Sequence, residues 1–288
     1  MFSGSIVAVV TPFKNGQVDF EKIDELVEMH VEAGTDAIVP CGTTGESPTL
    51  SHDEHDAVIE RVVKATRKRC PVIAGTGSNS TAEAVRLTRH AQQVGADASL
   101  QVCPYYNKPT QEGLYQHFKA VAEAVDIPIV LYNIPGRSGR NIDVDTMARL
   151  SEISNIVAVK EAAGSTDQVS AIIIRTDLTV LSGDDSMTLP FMALGAKGVI
   201  SVVANIVPKD VKAMVHAFLE GDAVKAQKLN ARLYPLAKTM FVETNPGPVK
   251  AAMRMLGMIT GEMRLPMVEP AKPSEEKIRK ALKDYGLL

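Results

Sequence analysis

The chain has 288 residues, of which 45% are hydrophobic and 23% charged, and its formal net charge is −3 at pH 7. This is the composition of a folded soluble protein, and a near-neutral chain without a run of Lys and Arg gives no electrostatic basis for binding nucleic acid or an anionic membrane. Residues 1–5 lack the features of a signal peptide, no apolar run is long enough to span a bilayer, and the three cysteines follow no metal-ligand spacing, so we expect a cytoplasmic protein with reduced thiols.

Short apolar runs alternate with segments of helical hydrophobic spacing. Eight runs have the composition of strands that are buried on both faces, at residues 6–10, 37–41, 72–74, 98–103, 129–132, 156–160, 178–181 and 198–203. Each is followed by a predicted helix, at 19–33, from 51 onward, and at 81–94, 111–125, 144–150, 166–174, 186–194 and 208–219. Ser51 and Glu54 have the spacing of a capping box at the second of these helices.

Eight strand–helix units within about 220 residues predict a (β/α)8 barrel, which we assign to residues 1–221. A doubly wound open sheet is the alternative, but its G-x-G-x-x-G motif is missing after the first strand. From residue 222 onward the strand pattern stops. Helical spacing at 223–242, 246–259 and 274–285 predicts a C-terminal helical region at residues 222–288.

Lys160 ends the sixth predicted strand. Burial disfavours the charged form of an amine, and a neutral lysine is the form that attacks a carbonyl to make a Schiff base. Taken alone, the strand favours an ordinary alternative, in which the lysine lies at a strand edge and its ammonium reaches water. The barrel changes this balance, because active sites of such barrels lie at the C-terminal ends of the strands.

Other polar residues follow the strands on the same predicted face. The loop Gly42-Thr43-Thr44-Gly45-Glu46 is not a phosphate loop, but a tight turn with free N–H groups beside two hydroxyls suits a small carboxylate. Arg137 follows a Pro-Gly turn and is expected on a rigid loop, where a guanidinium can bind a second carboxylate with two hydrogen bonds. A plain turn and a solvated charge are the respective alternatives.

A metal site is not expected. His52 and His55 share one face of a predicted helix, but no third ligand follows at a suitable spacing. Asp184 and Asp185 stand between a strand and a helix, where acidic residues ordinarily complement the helix N-terminus.

Three motifs in this order and spacing are specific in combination: Gly42-Thr43-Thr44-Gly45-Glu46, Tyr132-Asn133-Ile134-Pro135-Gly136-Arg137 and Val159-Lys160-Glu161. Together they resemble the pyruvate-dependent class I aldolases, the family of dihydrodipicolinate synthase and N-acetylneuraminate lyase. The resemblance runs from Ile6 into the helical tail. It implies a barrel with a C-terminal helical region, a homotetramer built as a dimer of dimers, and no metal or organic cofactor.

The resemblance also implies roles for particular residues. Lys160 would form an imine with pyruvate, and the implied catalytic residues are Lys160, Tyr132, Thr43 and Tyr106, the last contributed by a neighbouring subunit. The implied substrate-binding residues are Thr44, Arg137, Gly183 and Ile200. Arg137 would hold the carboxylate of L-aspartate-4-semialdehyde.

Two branches of the family are open. In one, a lyase condenses pyruvate with L-aspartate-4-semialdehyde, the entry step of lysine biosynthesis through diaminopimelate. In the other, an aldolase acts on N-acetylneuraminate or a keto-deoxy-sugar acid. Arg137 and the pair Tyr105-Tyr106 resemble the first branch.

Feedback inhibition by L-lysine is a further implication of the resemblance. Seven residues match positions that bind lysine in sensitive members of the family: Ser47, Pro48, His52, His55, Asn79, Glu83 and Tyr105. Pro48 replaces an alanine that is more usual there. The alternative is that these residues cap helices or lie on the surface.

Overall fold

A parallel barrel dominates the computed structural model, which describes residues 2–288. The strands within these residues are β1 Gly4–Ala8, the hairpin strands β2 Phe13–Lys14 and β3 Gln17–Val18, then β4 Ala37–Val39, β5 Ile73–Gly75, β6 Ala98–Val102, β7 Ile129–Asn133, β8 Ile156–Glu161, β9 Thr179–Ser182 and β10 Gly198–Ser201. The eight long-sheet strands pair in the order β4-β1-β10-β9-β8-β7-β6-β5. Ile38 of β4 bridges Val72, just before β5, and this parallel bridge closes the ring. The predicted (β/α)8 barrel is confirmed.

Helices cover the outside of the barrel and continue beyond it. Their bounds are α1 Phe20–Glu32, α2 His52–Thr66, α3 Thr81–Gln93, α4 Gln111–Glu123, α5 Pro135–Ser138, α6 Val144–Ser151, α7 Thr166–Arg175, α8 Thr188–Leu194, α9 Pro208–Leu219, α10 Ala223–Thr239, α11 Gly247–Met255 and α12 Lys272–Tyr285. Within the part of the chain that the structure describes, no helix is both long and apolar enough to traverse a bilayer.

Local side-chain chemistry explains the best-predicted helix starts. At α2, the Ser51 hydroxyl accepts from the Glu54 N–H at 3.2 Å, and the Glu54 carboxylate accepts from the Ser51 N–H at 2.9 Å, so the predicted capping box is present. At α1, the Asp19 carboxylate accepts from the N–H of Lys22 at 3.0 Å. Both caps satisfy N–H groups that a helix start leaves unpaired.

Several predicted bounds are wrong by a few residues. The first strand lies at Gly4–Ala8 rather than 6–10, and the last ends at Ser201 rather than 203. The last strand is shorter because the Asp185 carboxylate accepts from the N–H groups of Val202 and Val203, at 2.9 and 3.1 Å, and the chain turns there into a 3-10 helix. The sequence analysis also did not predict the β2–β3 hairpin or the single-turn helix α5.

The hydrophobic interior has layers on both sides of the strands. Side chains inside the barrel form one cluster: Ile6, Ala8, Ala37, Val39, Ile73, Ala98, Leu100, Val130, Tyr132, Ala158, Leu181 and Ile200. A second cluster joins outer barrel residues such as Val9 and Leu26 to Leu236, Met253 and Ile278 of the C-terminal helices. The division at 221/222 therefore stays a prediction, and the two parts share one buried layer.

Candidate active site

Lys160 lies inside the barrel, on the strand β8. The register of β7 and β8 places Tyr132 beside Lys160 and Asn133 beside Glu161. Lys160 is only 5% exposed, and its Nζ lies 4.1 Å from the centroid of the Tyr132 ring. The amine is thus held against an aromatic face in the interior, and the alternative of a strand-edge lysine that reaches water is wrong.

The carboxylate of Glu161 fixes the ends of these two strands from outside the barrel. It accepts from Asn133 Nδ2 at 3.0 and 3.2 Å, from the N–H of Ala163 at 2.7 Å and from Gln168 Nε2 at 3.0 Å. Burial raises the pKa of Glu161, and these hydrogen bonds oppose that shift. The strand ends that carry Tyr132 and Lys160 are therefore tied together and to α7. Sequence reasoning quoted Asn133 and Glu161 only as parts of motifs and missed Gln168.

Gly183 leaves the space that the Lys160 side chain occupies. A Cβ atom at Gly183 would lie 3.1 Å from Cε of Lys160 and 2.8 Å from Cβ of Ala162. Cβ atoms in real proteins almost never approach another atom as closely as the 2.8 Å to Cβ of Ala162. A residue without a side chain is needed here because both Cβ of Ala162 and the stem of Lys160 lie close to the Gly183 backbone.

The loop Gly42–Glu46 is a compact turn that carries two hydroxyls. The N–H groups of Gly45 and Glu46 donate to the carbonyls of Gly42 and Thr43, both at 3.1 Å. The N–H groups of Thr43 and Thr44 have no hydrogen-bond acceptor among residues 2–288. Part of the expectation is thus met: the turn closes on itself and leaves two adjacent N–H groups for another acceptor.

A cavity of about 230 Å³ opens at the C-terminal ends of the strands. Its wall is formed by Cys41, Gly42, Thr43, Ser47, Pro48, Gly75, Gly77, Leu100, Val102, Tyr105, Tyr132, Ile134, Arg137 and Ser138. Thr43, Tyr132 and Arg137 are therefore brought together around one space. Five other predicted catalytic or substrate-binding residues of the described chain are not in the wall: Thr44, Tyr106, Lys160, Gly183 and Ile200. Ile200 is 1% exposed in the inner cluster of the barrel.

Arg137 stands on the one-turn helix α5 rather than on an irregular loop. Its Nη2 donates to the carbonyl oxygen of Asn245 at 3.0 Å. The side chain of the same asparagine donates through Nδ2 to the Thr44 hydroxyl at 3.1 Å. Asn245 thus contacts both predicted carboxylate-binding elements. The sequence analysis missed it, because a lone asparagine in a helical tail carries no signal of such a contact.

Tyr106 is separated from the other predicted catalytic residues within one chain. Its side chain is 90% exposed, and its backbone is left-handed with a φ of 71°. The adjacent Tyr105 is 37% exposed and lines the cavity. That Tyr106 acts in a neighbouring subunit therefore stays a prediction.

The predicted lysine-binding residues divide into two groups. In the first, His52 Nε2 lies 2.6 Å from Oε1 of Glu83, and the Ser78 hydroxyl donates to the other oxygen of that carboxylate. These two partners, Ser78 foremost, lower the pKa of Glu83. Asn79 follows Ser78 in the chain, and its carbonyl accepts from Asn107 Nδ2 at 2.8 Å. The structure thus supplies a carboxylate with a surface histidine beside it.

The second group lies towards the cavity. Ser47, Pro48 and Tyr105 belong to the cavity wall. His55, by contrast, is 4% exposed, and its Nε2 lies 3.0 Å from the carbonyl oxygen of Gly75. Burial lowers the pKa of His55, while the Gly75 carbonyl opposes that shift. His52 and His55 therefore face different surroundings although they share one turn of helix.

The acidic pair after β9 has a structural use. The Asp184 carboxylate accepts from the N–H of Ser186 at 2.8 Å, and that of Asp185 caps the turn after β10. Among residues 2–288, no group of three His, Cys, Asp or Glu side chains is arranged to hold a metal ion. All three cysteines are buried and free of disulfide bonds.

Comparisons with known proteins agree with one another along the whole chain. The family model described as "Dihydrodipicolinate synthetase family" matches residues 1–285. The 4-hydroxy-tetrahydrodipicolinate synthase of Aquifex aeolicus is 57% identical over 290 residues, which cover 100% of this chain and 99% of the relative. The crystal structure of dihydrodipicolinate synthase from the same organism superposes with a TM-score of 0.98 over 99% of each chain.

Two further solved structures carry small molecules. The chloride-inhibited dihydrodipicolinate synthase of Acinetobacter baumannii, complexed with pyruvate, is 48% identical and superposes with a TM-score of 0.98 over 100% of each chain. The corresponding enzyme of Cyanidioschyzon merolae, with lysine bound, is 42% identical with a TM-score of 0.97, over 100% of this chain and 99% of that one.

Proposed function

The chain belongs to the dihydrodipicolinate synthetase family and has 4-hydroxy-tetrahydrodipicolinate synthase activity, and we propose that it works through an imine between Lys160 and pyruvate. The observation that carries this proposal is the buried amine of Lys160, held 4.1 Å from the Tyr132 ring centroid. An amine with little access to water is a suitable nucleophile for a carbonyl carbon. The pyruvate complex of the Acinetobacter baumannii relative supports the choice of keto acid.

The reaction balances without any further reagent. The Lys160 amine attacks the keto carbon of pyruvate, and loss of one water gives an iminium ion. Because the iminium withdraws electrons, the methyl carbon loses a proton and becomes the nucleophilic carbon of an enamine. That carbon forms a bond with the aldehyde of L-aspartate-4-semialdehyde. The amine of this substrate then displaces Lys160, which closes the ring of 4-hydroxy-tetrahydrodipicolinate and frees the enzyme.

Protons for these steps move through hydroxyl groups at the cavity. Tyr132 and Thr43 form part of its wall, so both can reach groups bound there. Tyr106 completes the relay from a neighbouring subunit. The two unpaired N–H groups of Thr43 and Thr44 receive the carboxylate of pyruvate, because adjacent N–H groups form a concave site for an anion.

The second substrate is held by Arg137, whose guanidinium stands at the cavity wall. A guanidinium binds a carboxylate with two parallel hydrogen bonds and so fixes the orientation of the aldehyde. A neutral sugar aldehyde offers no such partner. Gly183 gives room to the Lys160 stem, and Ile200 closes the barrel interior beneath the site.

A comparison of two aldehydes tests the function directly. Purified protein with pyruvate is expected to consume L-aspartate-4-semialdehyde and to leave N-acetylmannosamine unchanged. Arg137→Lys keeps the positive charge but loses the planar pair of donors, so we expect the KM for the semialdehyde to rise about tenfold or more. Consumption of the sugar alone would contradict the assignment to this branch of the family.

Inhibition by L-lysine is part of the proposal. The Glu83 carboxylate can pair with a ligand ammonium, and Ser47, Pro48, His52, His55, Asn79 and Tyr105 complete the lysine site. The lysine complex of the Cyanidioschyzon merolae relative supports this choice of ligand. Glu83→Gln is expected to weaken inhibition, and a rate that stays constant as L-lysine is titrated into the unchanged protein would contradict it.

The proposed assembly is a cytoplasmic homotetramer, a dimer of dimers in which residues 1–221 form the catalytic unit and 222–288 the helical region. Tyr106, 90% exposed in one chain, supports a subunit contact at that place. The buried free thiols suit a reducing compartment. Sedimentation is expected to give the mass of four chains, and a monomer with full activity would contradict the role of Tyr106.

A further inference from the structure

A buried ion pair joins the C-terminal helices to the loop Gly42–Glu46. Lys250 of α11 is 0% exposed, and its Nζ donates to Oε1 of Glu46, which is 2% exposed. The same Nζ donates to the carbonyl oxygen of Glu262 at 2.9 Å and lies 4.3 Å from the centroid of the Phe13 ring. The cation is thus enclosed by a carboxylate, a carbonyl and an aromatic face.

Lys250 differs from Lys160 in what surrounds its amine. Its nitrogen donates to two protein acceptors, the Glu46 carboxylate and the Glu262 carbonyl. Burial lowers the pKa of Lys250, and the neighbouring Glu46 carboxylate opposes that shift. Because its donors are already occupied, Lys250 is not a second imine-forming lysine.

Stability alone is a weak explanation for such a pair. Two charges lose their hydration on burial, and apolar residues of similar volume often give a fold that is equally stable. An ion pair does, however, impose one relative geometry on the two elements that it joins. The question is therefore which geometry the Lys250–Glu46 pair fixes.

Glu46 transmits the constraint to the turn that carries the two threonines. Its backbone is left-handed, with a φ of 53°, a conformation that non-glycine residues keep only where their surroundings enforce it. Its N–H donates to the carbonyl of Thr43 at 3.1 Å and closes the turn. Its second carboxylate oxygen accepts from the N–H of Arg264 at 3.2 Å, so both ends of the carboxylate are held.

A second contact reaches the same loop from the same stretch of chain. Asn245, five residues before Lys250, donates to the Thr44 hydroxyl at 3.1 Å. The segment 245–250 therefore supports the loop at two points, one at Thr44 and one at Glu46. Neither contact uses the N–H groups of Thr43 and Thr44, which have no acceptor among residues 2–288.

We propose that Lys250, acting through Glu46, is a positioning residue for pyruvate. The Lys250–Glu46 ion pair holds the turn that presents Thr43 and Thr44 to the carboxylate of pyruvate. This inference rests on the proposed function, in which these two threonines bind pyruvate. The aldehyde is bound by Arg137 of α5, which is held by the Asn245 carbonyl and not by Glu46 or Lys250. Loss of the ion pair therefore weakens pyruvate capture more than aldehyde binding.

Lys250→Met is the first test, since methionine keeps an unbranched stem and removes the charge. Pyruvate is titrated in the presence of borohydride, and the reduced adduct on the Lys160 peptide is quantified by mass spectrometry. The pyruvate concentration for half-maximal trapping is expected to rise about 10- to 100-fold, as for a misplaced binding group. The KM for L-aspartate-4-semialdehyde is expected to stay near that of the unchanged protein.

Two further variants separate positioning from a merely structural role. Arg254→Met, four residues along α11, breaks contacts to Glu269 and Glu275 within the C-terminal region and should leave pyruvate trapping unchanged. The double variant Glu46→Gln with Lys250→Met leaves no unpaired buried charge, so its melting temperature should recover relative to Lys250→Met. Its pyruvate requirement should nevertheless remain high, because the turn is still not anchored.

The outcomes are distinct. A folded Lys250→Met protein with the original pyruvate dependence would overturn the inference, as would an equal shift in Arg254→Met. Recovery of both melting temperature and pyruvate dependence in the double variant would show that the pair only stabilises the fold. If Lys250→Met does not fold, the double variant is compared with the unchanged protein. A raised pyruvate requirement supports the inference, and an unchanged one overturns it. An unchanged protein that gives no adduct on Lys160 would instead contradict the proposed function.

Discussion

Single residues at the site act by the space they leave as well as by the groups they present. The position of Lys160 depends on the missing side chain of Gly183, because a Cβ there would lie 3.1 Å from Cε of Lys160. This dependence is specific: the nearest atoms to a Cβ at Gly183 are Cβ of Ala162 and Cε of Lys160. A methyl group there would press on Ala162 and on the stem of the reactive lysine.

Gly183→Ala is therefore expected to lower kcat about tenfold or more, since a nucleophile displaced by a fraction of an ångström loses its alignment. Steady-state kinetics with both substrates measures this loss. Gly136→Ala is the matched control, because a Cβ there meets nothing within 4 Å and its activity should stay close to the original. Equal activities in the two variants would contradict the role assigned to Gly183.

The sequence alone predicts the site residues at the strand ends, but not the residues whose side chains hold those site residues in place. Lys160, Thr43 and Tyr132 could be assigned to one face because strand ends meet there in a barrel. Asn245 and Lys250 could not, because their contacts at Thr44 and Glu46 span 201 and 204 residues. No local pattern encodes a pairing at that distance, so the supporting contacts appear only in the folded structure.

At the scale of elements, N-capping side chains mark the helix starts. Ser51 with Glu54 set the start of α2, and Asp19 set that of α1, because their side chains satisfy the first N–H groups. Two helix ends in the C-terminal region differ from the prediction. The stretches predicted at 223–242 and 246–259 end at Thr239 and Met255, where apolar spacing continues but the backbone turns away.

The small hairpin β2–β3 has a turn signal in the sequence, although the hairpin was not among the predicted elements. Asn15 and Gly16 connect its strands with φ values of 54° and 78°, the left-handed pair that Asn-Gly favours in a two-residue turn. The strands have only two residues each, too short for an alternating pattern. The Asn-Gly turn, rather than an apolar run, therefore marks this hairpin in the sequence.

At the scale of the whole molecule, two buried histidines link folding to pH. Burial lowers the pKa of His30 from 6.5 to about 3 and that of His117 to about 4. The unfolded chain binds protons on both residues below about pH 6.5, whereas the folded chain does so only near the lowered values. The contribution of the two neutral histidines to the free energy of unfolding is therefore complete above pH 6.5 and is lost as the pH falls towards 4.

Between pH 7.5 and 5.5 the two histidines together should reduce the free energy of unfolding by about 3 kcal/mol. His117→Asn removes one titration and can keep a hydrogen bond to the Thr81 hydroxyl, which lies 2.9 Å from Nδ1 of His117. Over the same pH interval, the His117→Asn variant should lose about half of that amount less free energy of unfolding than the unchanged protein. Urea unfolding at the two pH values measures the difference, and equal losses in both proteins would contradict the assignment.

The central claim is that the Lys160 amine forms the imine with pyruvate. Borohydride reduction in the presence of pyruvate, followed by digestion and mass spectrometry, tests it most directly. We expect one pyruvate-derived adduct on the peptide that contains Lys160, its loss in Lys160→Ala, and its retention when the exposed Lys280 is changed to Ala. An adduct that persists in Lys160→Ala, or none in the unchanged protein, would contradict the account.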